Sequence, residues 1–186
     1  MTIISAFEAP DSGSASRPGA PAQTLICFSH LRWQFVFQRP QHLISRFAKQ
    51  GRVIYWEEPE TTSSDGEPAL AVRSCAATGV VVVTPSLPAG IAEEGQEKAL
   101  RALLDAFLSR EQGPFIRWYY TPMMLPFSRH LDAACTVYDC MDELANFRFA
   151  PPRLLALEEE LLATADIVFT GGFRLYPAKR PRHAHV

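Results

Sequence analysis

The sequence predicts an α/β fold in which a mainly parallel β-sheet is covered by helices on both faces. Short apolar runs of strand length alternate with longer segments whose apolar residues recur at helical spacing. The runs, such as LICF at 25–28 and RVIYW at 52–56, are apolar throughout, which is typical of strands buried on both faces. Since strands that alternate with helices form parallel sheets, we predict a doubly wound, Rossmann-like domain.

The first strand–loop–helix unit, Leu25–Gly51, organises this prediction. A strand at Leu25–Phe28 leads through a polar loop to a helix that holds Pro40 in its first turn. Proline fits there because its fixed φ and its missing N–H cost nothing. The helical spacing ends at Gly51, a residue suited to a left-handed cap. Ligands of such folds bind at the carboxyl ends of strands, so this loop is predicted to line a site.

The remaining elements are predicted from the same patterns. The further strands are Arg52–Trp56, Leu70–Arg73, Val80–Thr84, Phe115–Tyr120, Cys135–Asp139 and Asp166–Phe169. Gly79 and Pro85 bound the third of these runs, so we expect a hairpin-like excursion that closes at Pro85. The clearest helix has one buried stripe, which consists of Leu100, Leu103, Leu104, Phe107 and Leu108.

The length of 186 residues predicts one domain with tails. Residues 1–23 are rich in Ser, Ala, Pro and Gly, and they are predicted to be a disordered tail. Residues 24–180 form the predicted Rossmann-like domain. Residues 181–186 have neither an apolar face nor a helix cap, and they are predicted to be frayed.

Composition restricts the class of function. The formal net charge of -2 argues against nucleic-acid binding through net attraction. The four cysteines form no CxxC pair, so they are predicted to be buried thiols in a reducing compartment, with no metal site. There is no signal peptide pattern and no apolar run of roughly 18 residues. We therefore expect a cytoplasmic protein, for which peripheral membrane contact stays open.

The charge pattern around the first loop is one-sided. No acidic residue occurs between Ser12 and Trp56, and Arg39 stands just before a predicted helix, where the helix dipole disfavours a cation. Two interpretations have equal weight. Arg39 shares an anion site with backbone N–H groups, or it pairs with Glu57 or Glu58 at the end of the neighbouring strand.

The same loop offers an acid–base group and aromatic rings. His30 follows the strand at a position where catalytic groups lie, although a structural role is the commoner one for a single histidine. Trp33, Phe35 and Phe37 are able to stack on a sugar or to pack the loop onto the sheet. We expect packing for Phe35 and Phe37 more than for Trp33.

Two further loops carry candidate groups. Asp139 ends a predicted strand, and Asp142 and Glu143 follow it, so three carboxylates approach one sheet edge. They are suited to holding sugar hydroxyls or accepting a proton, or Asp142 caps a short turn. Gly171 and Gly172 permit close backbone approach to a ligand, or they form a plain turn. The absence of GxGxxG, GxxxxGK[ST], HExxH and GxSxG weakens dinucleotide, P-loop, zincin and hydrolase interpretations.

Four blocks of sequence carry a resemblance. They are FSHLRWQFVFQRPQHLISRFA, RVIYWEEP, VYDCMDELANF and ADIVFTGGFRLYPAKR, and together they extend from about Thr24 to Arg180. In this order and spacing the chain resembles the amino-terminal half of bacterial GT-B glycosyltransferases, close to the retaining, nucleotide-sugar-using enzymes of glycosyl transferase group 1.

The resemblance implies a function. Such enzymes have two Rossmann-like domains that face a cleft, where the amino-terminal domain holds a sugar, lipid or small-molecule acceptor and the other domain holds the nucleotide-sugar donor. No cofactor is implied. By this likeness the catalytic candidates are His30 and Asp139. The substrate-binding candidates are Arg32, Trp33, Arg39, Asp142, Gly171 and Gly172.

The chain also departs from the family's pattern. Gln34 stands where an acidic residue is expected, and Pro177 interrupts the helix expected after Gly171 and Gly172. The donor half is missing, so the chain is predicted to be truncated and inactive alone, because a misplacement of ~1 Å can cost on the order of 100-fold in rate. The alternative is a non-catalytic sugar- or partner-binding module. The surface left open by a missing domain also predicts self-association.

Overall fold

The structure, a computed structural model, describes residues 23–63, 65–111, 113–143 and 151–186. Its strands are β1 (Leu25–Ser29), β2 (Val53–Glu57), β3 (Glu60–Thr62), β4 (Ala69–Ser74), β5 (Val81–Pro88), β6 (Phe115–Tyr119), β7 (Ala133–Cys140) and β8 (Ile167–Thr170). Its α-helices are α1 (Arg39–Phe47), α2 (Glu93–Leu108), α3 (Leu125–Ser128), α4 (Leu154–Thr164) and α5 (Leu175–Lys179). Short 3-10 turns at Pro122–Met124 and Arg180–Arg182 adjoin α3 and α5.

The strands form one sheet in the order β3-β5-β2-β1-β6-β7-β8, and β4 pairs with β5. The β4–β5 pair is antiparallel, and the other pairs are parallel. The predicted α/β fold with a mainly parallel sheet is therefore confirmed. β1 lies between β2 and β6, and these strands are parallel. Their carboxyl ends therefore lie along the same edge of the sheet.

The predicted excursion is confirmed as the β4–β5 hairpin, but its predicted end is wrong. β5 continues through Pro85 to Pro88. Residues 81–83 of β5 pair with β2, and residues 86–88 pair with β3. On the side of β2 and β3, Pro85 falls between these two stretches, so neither strand needs its missing N–H; on the other side it lies opposite Leu70 of β4. The polar, exposed strand β3 has no apolar pattern, and it is therefore absent from the strands predicted above.

Alternate residues of the strands build two cores, one on each side of the sheet. One core contains Phe28, Trp56 and Tyr119 and packs against Leu100, Leu103, Leu104 and Leu108 of α2. The predicted stripe is thus confirmed, with Phe107 partly buried at its margin. The other core contains Cys27, Tyr55 and Trp118, and it packs against Ile44 of α1. We call the side covered by α1 the α1 face.

Helix α1 begins with Arg39 and Pro40, as predicted, but the predicted cap at Gly51 is wrong. The helix ends at Phe47, and Ala48 keeps right-handed helical φ and ψ. The Gln50 and Gly51 N–H groups both donate to the Phe47 carbonyl oxygen, at 2.8 and 3.2 Å. The turn is therefore closed without a left-handed residue.

The end of the chain packs on the sheet edge. The Val168 N–H in β8 donates to the His185 carbonyl oxygen at 2.9 Å, and Arg182 donates to Glu159 at 2.6 Å. The prediction of a frayed end at 181–186 does not describe this conformation. Pro177 lies inside α5, which is only five residues long. The predicted tail at 1–23 lies outside the described residues, apart from Gln23.

Candidate functional site

The carboxyl ends of the parallel strands bring several of the predicted residues to one edge of the sheet. Ser29 ends β1, Glu57 ends β2, Tyr120 follows β6 and Asp139 lies near the end of β7. Register and alternation place these four side chains on the α1 face. We call this group, with His30 and Arg39, the carboxyl-edge site.

Arg39 and Asp139 form an ion pair at this site. The Arg39 Nε lies 3.0 and 3.1 Å from the two carboxylate oxygens of Asp139. The Asp139 side chain is fully buried, and that of Arg39 is 35% exposed. Burial raises the pKa of Asp139, and the Arg39 guanidinium and the Tyr120 hydroxyl only partly offset this rise.

The predicted pairing of Arg39 with Glu57 or Glu58 is therefore wrong. Arg32 takes that place, since its Nη1 lies 2.7 Å from the Glu58 carbonyl oxygen and 3.4 Å from a carboxylate oxygen of Glu57. Arg32 lies over the end of β2, whereas Arg39, seven residues later in the chain, lies at the end of β7. Arg39 and Asp139 are 100 residues apart, so no local pattern identifies the pair.

Glu57 is a buried carboxylate that anchors the loop. Its oxygens accept hydrogen bonds from the Trp33 N–H at 2.7 Å, the Thr84 hydroxyl at 2.5 Å and Arg73 at 3.2 Å. Only 1% of its side chain is exposed. From the sequence, Glu57 was predicted only as a possible partner of Arg39. An acidic residue at the end of a buried strand was nevertheless a signal for a carboxylate that anchors the neighbouring loop.

Gln41 anchors the other end of the same loop. Its side chain is buried, its Nε2 donates to the Trp33 carbonyl oxygen at 3.0 Å, and its Oε1 accepts from the Gln38 N–H at 3.1 Å. The loop is thus held by hydrogen bonds from two sides. Side chains that it presents are pre-organised, which binding and catalysis require. The Gln38 N–H at the start of α1 is also already occupied.

The aromatic residues of the loop show the opposite of the expected burial: Trp33 is buried, and Phe35 and Phe37 are exposed. Trp33 is 7% exposed and packs edge to face on Tyr55, with 4.9 Å between ring centroids. Phe35 is 79% exposed and Phe37 63%. The expectation that Phe35 and Phe37 pack the loop is therefore wrong. Because the Trp33 N–H is bound to Glu57, the Trp33 ring lies at the sheet and the chain turns outward after it.

His30 follows β1 and lies near Asp142 and the Tyr120 backbone. Burial lowers the pKa of His30, and Asp142 and the Tyr120 backbone only partly oppose this effect. The imidazole is therefore neutral at neutral pH and able to accept a proton. Its Nδ1 is buried and has no hydrogen-bond partner among the described residues. Asp142 is exposed on the loop after β7.

Gly171 and Gly172 have different surroundings. A Cβ on Gly171 would lie 2.9 Å from the Met141 Cα, and the Gly171 N–H donates to the Cys140 carbonyl oxygen at 2.8 Å. Gly171 thus permits a close approach between the chain after β7 and the chain after β8. A Cβ on Gly172 would meet nothing nearer than Leu175 at 4.0 Å.

The chemistry available here is that of hydrogen bonding and proton acceptance. The described part of the chain contains no cluster of three His, Cys, Asp or Glu side chains arranged for a metal ion. A shallow hollow of about 200 Å³ near Pro68, Ala99 and Leu103 is lined by apolar surface and lies against α2, away from this edge. It brings no polar groups together, so the carboxyl-edge site is the stronger candidate.

No described helix is long and apolar enough to cross a bilayer.

Comparison with solved structures finds glycosyltransferases. A UDP-forming α,α-trehalose-phosphate synthase from Burkholderia xenovorans, solved with glucose-6-phosphate, has a TM-score of 0.50 and 12% identity over 78% of this chain and 39% of its own. An α,α-trehalose 6-phosphate synthase from Burkholderia multivorans has a TM-score of 0.49 and 10% identity over 79% of this chain and 39% of its own. No family model and no curated protein matches. The likeness is one of fold, and the chain spans about 39% of the length of these enzymes.

Proposed function

We propose that this chain is the acceptor-side domain of a glycosyltransferase, which transfers a sugar from a nucleotide-sugar donor to a glycan, lipid or small-molecule acceptor. The observation that carries the proposal is the ion pair of Arg39 and Asp139 at the carboxyl edge of a GT-B-like sheet, where a neutral His30 follows β1. Fold likeness supports the choice of transferase over other α/β enzymes.

Each group of the site has a role in this proposal. Neutral His30 accepts the proton of the attacking acceptor hydroxyl. Asp139 accepts a hydrogen bond from a sugar hydroxyl, and Arg39 keeps that carboxylate charged and in place. Among the described residues only the Nε of Arg39 is engaged, so its two Nη groups are open to a phosphate or carboxylate of a ligand.

The donor belongs to a second domain outside this chain in the same proposal. Arg32, Asp142 and Gly172 then line the acceptor side of the cleft, while Trp33 and Gly171 shape it from behind. Because transfer needs both substrates in one site, the chain alone is expected to have little or no transferase activity. Turnover of UDP-glucose by the purified chain at a rate typical of enzymes would contradict this.

A thermal-shift experiment tests the binding role of Arg39. Glucose 6-phosphate is expected to raise the melting temperature of the wild type and of Arg46→Ala, but not that of Arg39→Ala. Arg46 is the matched control, because it lies on the same helix and donates only to the His42 carbonyl oxygen among the described residues. Each variant is compared with its own ligand-free state, since Arg39→Ala also leaves Asp139 unpaired.

Three results would count against the proposal. Equal shifts in all three proteins would remove Arg39 from the site. If glucose 6-phosphate, UDP-glucose and acceptor glycans all fail to shift the wild type, the proposed function itself is lost. Binding without any transfer, even together with a donor-binding domain, would favour a non-catalytic sugar-binding module.

A further inference from the structure

Tyr120 differs from the other buried tyrosines of the sheet. Tyr55 donates to the Ser29 hydroxyl at 2.7 Å, Tyr138 donates to Glu158 at 2.8 Å, and Tyr119 is bonded to the Ser128 hydroxyl at 2.8 Å. The Tyr120 hydroxyl is buried, and no hydrogen-bond partner for it lies among the described residues. Buried polar groups are nearly always paired, so an unpaired one calls for an explanation.

The backbone holds Tyr120 firmly at the carboxyl edge. Its N–H donates to the Phe28 carbonyl oxygen at 2.9 Å, which ties the end of β6 to β1. Only 1% of the residue is exposed. Alternation along β6 places its ring on the α1 face with Trp118 and Asp139. The orientation of Tyr120 is therefore set by the sheet, and the hydroxyl has little freedom to seek another partner.

The surroundings of the hydroxyl are polar and incompletely satisfied. Burial and the nearby Asp139 carboxylate raise the pKa of Tyr120, so the hydroxyl stays protonated. Asp139 is near enough for the two side chains to shift each other's pKa, yet no hydrogen bond of good distance and angle joins them, so the hydroxyl is not satisfied by Asp139 alone. A carboxylate can accept about four hydrogen bonds, and the bonds to Asp139 seen here come from the Arg39 Nε. His30 lies against the Tyr120 backbone, and its Nδ1 is also buried and unpaired among the described residues.

We propose that Tyr120 is a ligand-binding residue whose hydroxyl, with His30 Nδ1 and Asp139, holds a hydroxyl group of a sugar. A sugar hydroxyl both donates and accepts, so it is able to accept from Tyr120 while it donates to Asp139. The charge of Asp139 disfavours an anion beside the Tyr120 hydroxyl. The phosphate group of a sugar phosphate would therefore bind to Arg39. This inference rests on the proposed function and deepens it, because it assigns the neutral part of the acceptor.

The test uses two neighbouring tyrosines as a matched pair. Tyr119→Phe removes a paired hydroxyl on the opposite face of the sheet, and Tyr120→Phe removes an unpaired one. We expect Tyr119→Phe to lower the melting temperature and to leave sugar affinity unchanged. We expect Tyr120→Phe to keep the wild-type melting temperature and to weaken sugar binding about 3- to 10-fold, as the loss of one hydrogen bond implies.

Affinities are measured on the full chain by NMR titration with D-glucose, D-galactose, D-mannose and glucose 6-phosphate, and with inorganic phosphate as the anion alone. Support requires weaker binding of at least one of these sugars by Tyr120→Phe, with phosphate affinity unchanged. Unchanged sugar affinity would overturn the inference and leave the proposed function standing. A fall in melting temperature equal to that of Tyr119→Phe would also overturn it, since the hydroxyl would then be bonded within the fold. If the wild type binds none of the sugars, the inference and the proposed function fail together.

Discussion

Glu57 illustrates how one buried carboxylate positions a loop. It accepts hydrogen bonds from a backbone N–H, a hydroxyl and the guanidinium groups of Arg73 and Arg32. Charged acceptors form stronger hydrogen bonds than neutral ones. The ion pairs of Glu57 with Arg32 and Arg73 are not simple surface salt bridges, because the Glu57 side chain is buried. Both arginine side chains are more than a third exposed.

Replacing Glu57 by glutamine is therefore expected to be costly. The amide keeps the shape but loses the charge, and its NH2 group faces donors where an acceptor is needed. We expect Glu57→Gln to lower the free energy of unfolding by about 1–3 kcal/mol, as measured by urea denaturation. Glu60→Gln is the control, because Glu60 is 61% exposed and lies 3.9 Å from Arg32. A change within about 0.5 kcal/mol is expected there, and equal effects of the two substitutions would contradict the anchoring role.

Trp33 and Phe35 give a test at the scale of the loop and α1. Trp33 is packed on Tyr55, whereas Phe35 is mostly exposed. We expect Trp33→Ala to cost about 3 kcal/mol of stability, and Phe35→Ala to change it by no more than about 0.5 kcal/mol. Circular dichroism during urea denaturation measures both. A large loss for Phe35→Ala would mean that the loop packs differently.

Helix α5 is attached to α4 by a buried ion cluster. The Lys179 Nζ lies 2.7 Å from a carboxylate oxygen of Glu143 and 2.9 Å from one of Glu158, and its side chain is fully buried. Burial disfavours the charged forms of Lys179 and Glu158. For Lys179, the hydrogen bonds with Glu143 and Glu158 outweigh this effect of burial and raise the pKa. Hydrogen bonds from Lys179 and Tyr138 likewise outweigh it and lower the pKa of Glu158.

These shifts predict how stability depends on pH. The contribution of Lys179, whose pKa is raised, is complete below its ordinary pKa of 10.5 and is lost as pH rises above it. The contribution of Glu158, whose pKa is lowered, is complete above its ordinary pKa of 4.5 and is lost as pH falls below it. Asp139 acts in the opposite direction at low pH, because its pKa is raised.

A lysine variant separates the alkaline part of this profile. Urea midpoints of the wild type are expected to fall above about pH 10.5. Lys179→Met is expected to be less stable at neutral pH and to show a smaller alkaline fall, because the buried tyrosines, whose pKa values are also raised, cause the rest of it. Arg180→Met is the control, since Arg180 is exposed. An unchanged alkaline fall in Lys179→Met would show that another group causes it.

Local patterns predicted the elements far better than the contacts between them. The leucine stripe of α2 and the apolar strands are signals within a few residues, so their positions were predictable. The strand β3 carries polar, exposed residues and has no such signal. The partner of Arg39 and the anchor of Trp33 depend on which loop end lies over which strand, and that is set by the sheet order. Tyr120 was not predicted to be a site residue, because only the pairing of its neighbours distinguishes it from Tyr119.

At the scale of the whole molecule, the sheet presents a polar edge between exposed aromatic residues. Phe35 and Phe37 precede α1, and Phe173, which is 96% exposed, follows β8. In the strand order, Tyr120 after β6 and Asp139 near the end of β7 lie between the loops that follow β1 and β8. This arrangement suits a surface that faces another body across a cleft, and it agrees with the proposed acceptor side of a two-domain enzyme. Self-association through this surface stays a prediction, which light scattering checks.

The central claim is that an acceptor sugar binds at the carboxyl edge of this domain, and mapping of amide chemical shifts tests it most directly. On titration of the 15N-labelled chain with glucose 6-phosphate, we predict saturable shifts at the amides of His30, Arg39, Tyr120, Asp139 and Gly172. The amides of α2 at the opposite face, such as Ala102, are predicted to stay unchanged. Saturable shifts confined to α2, or no saturable shift at the carboxyl edge, would contradict the account.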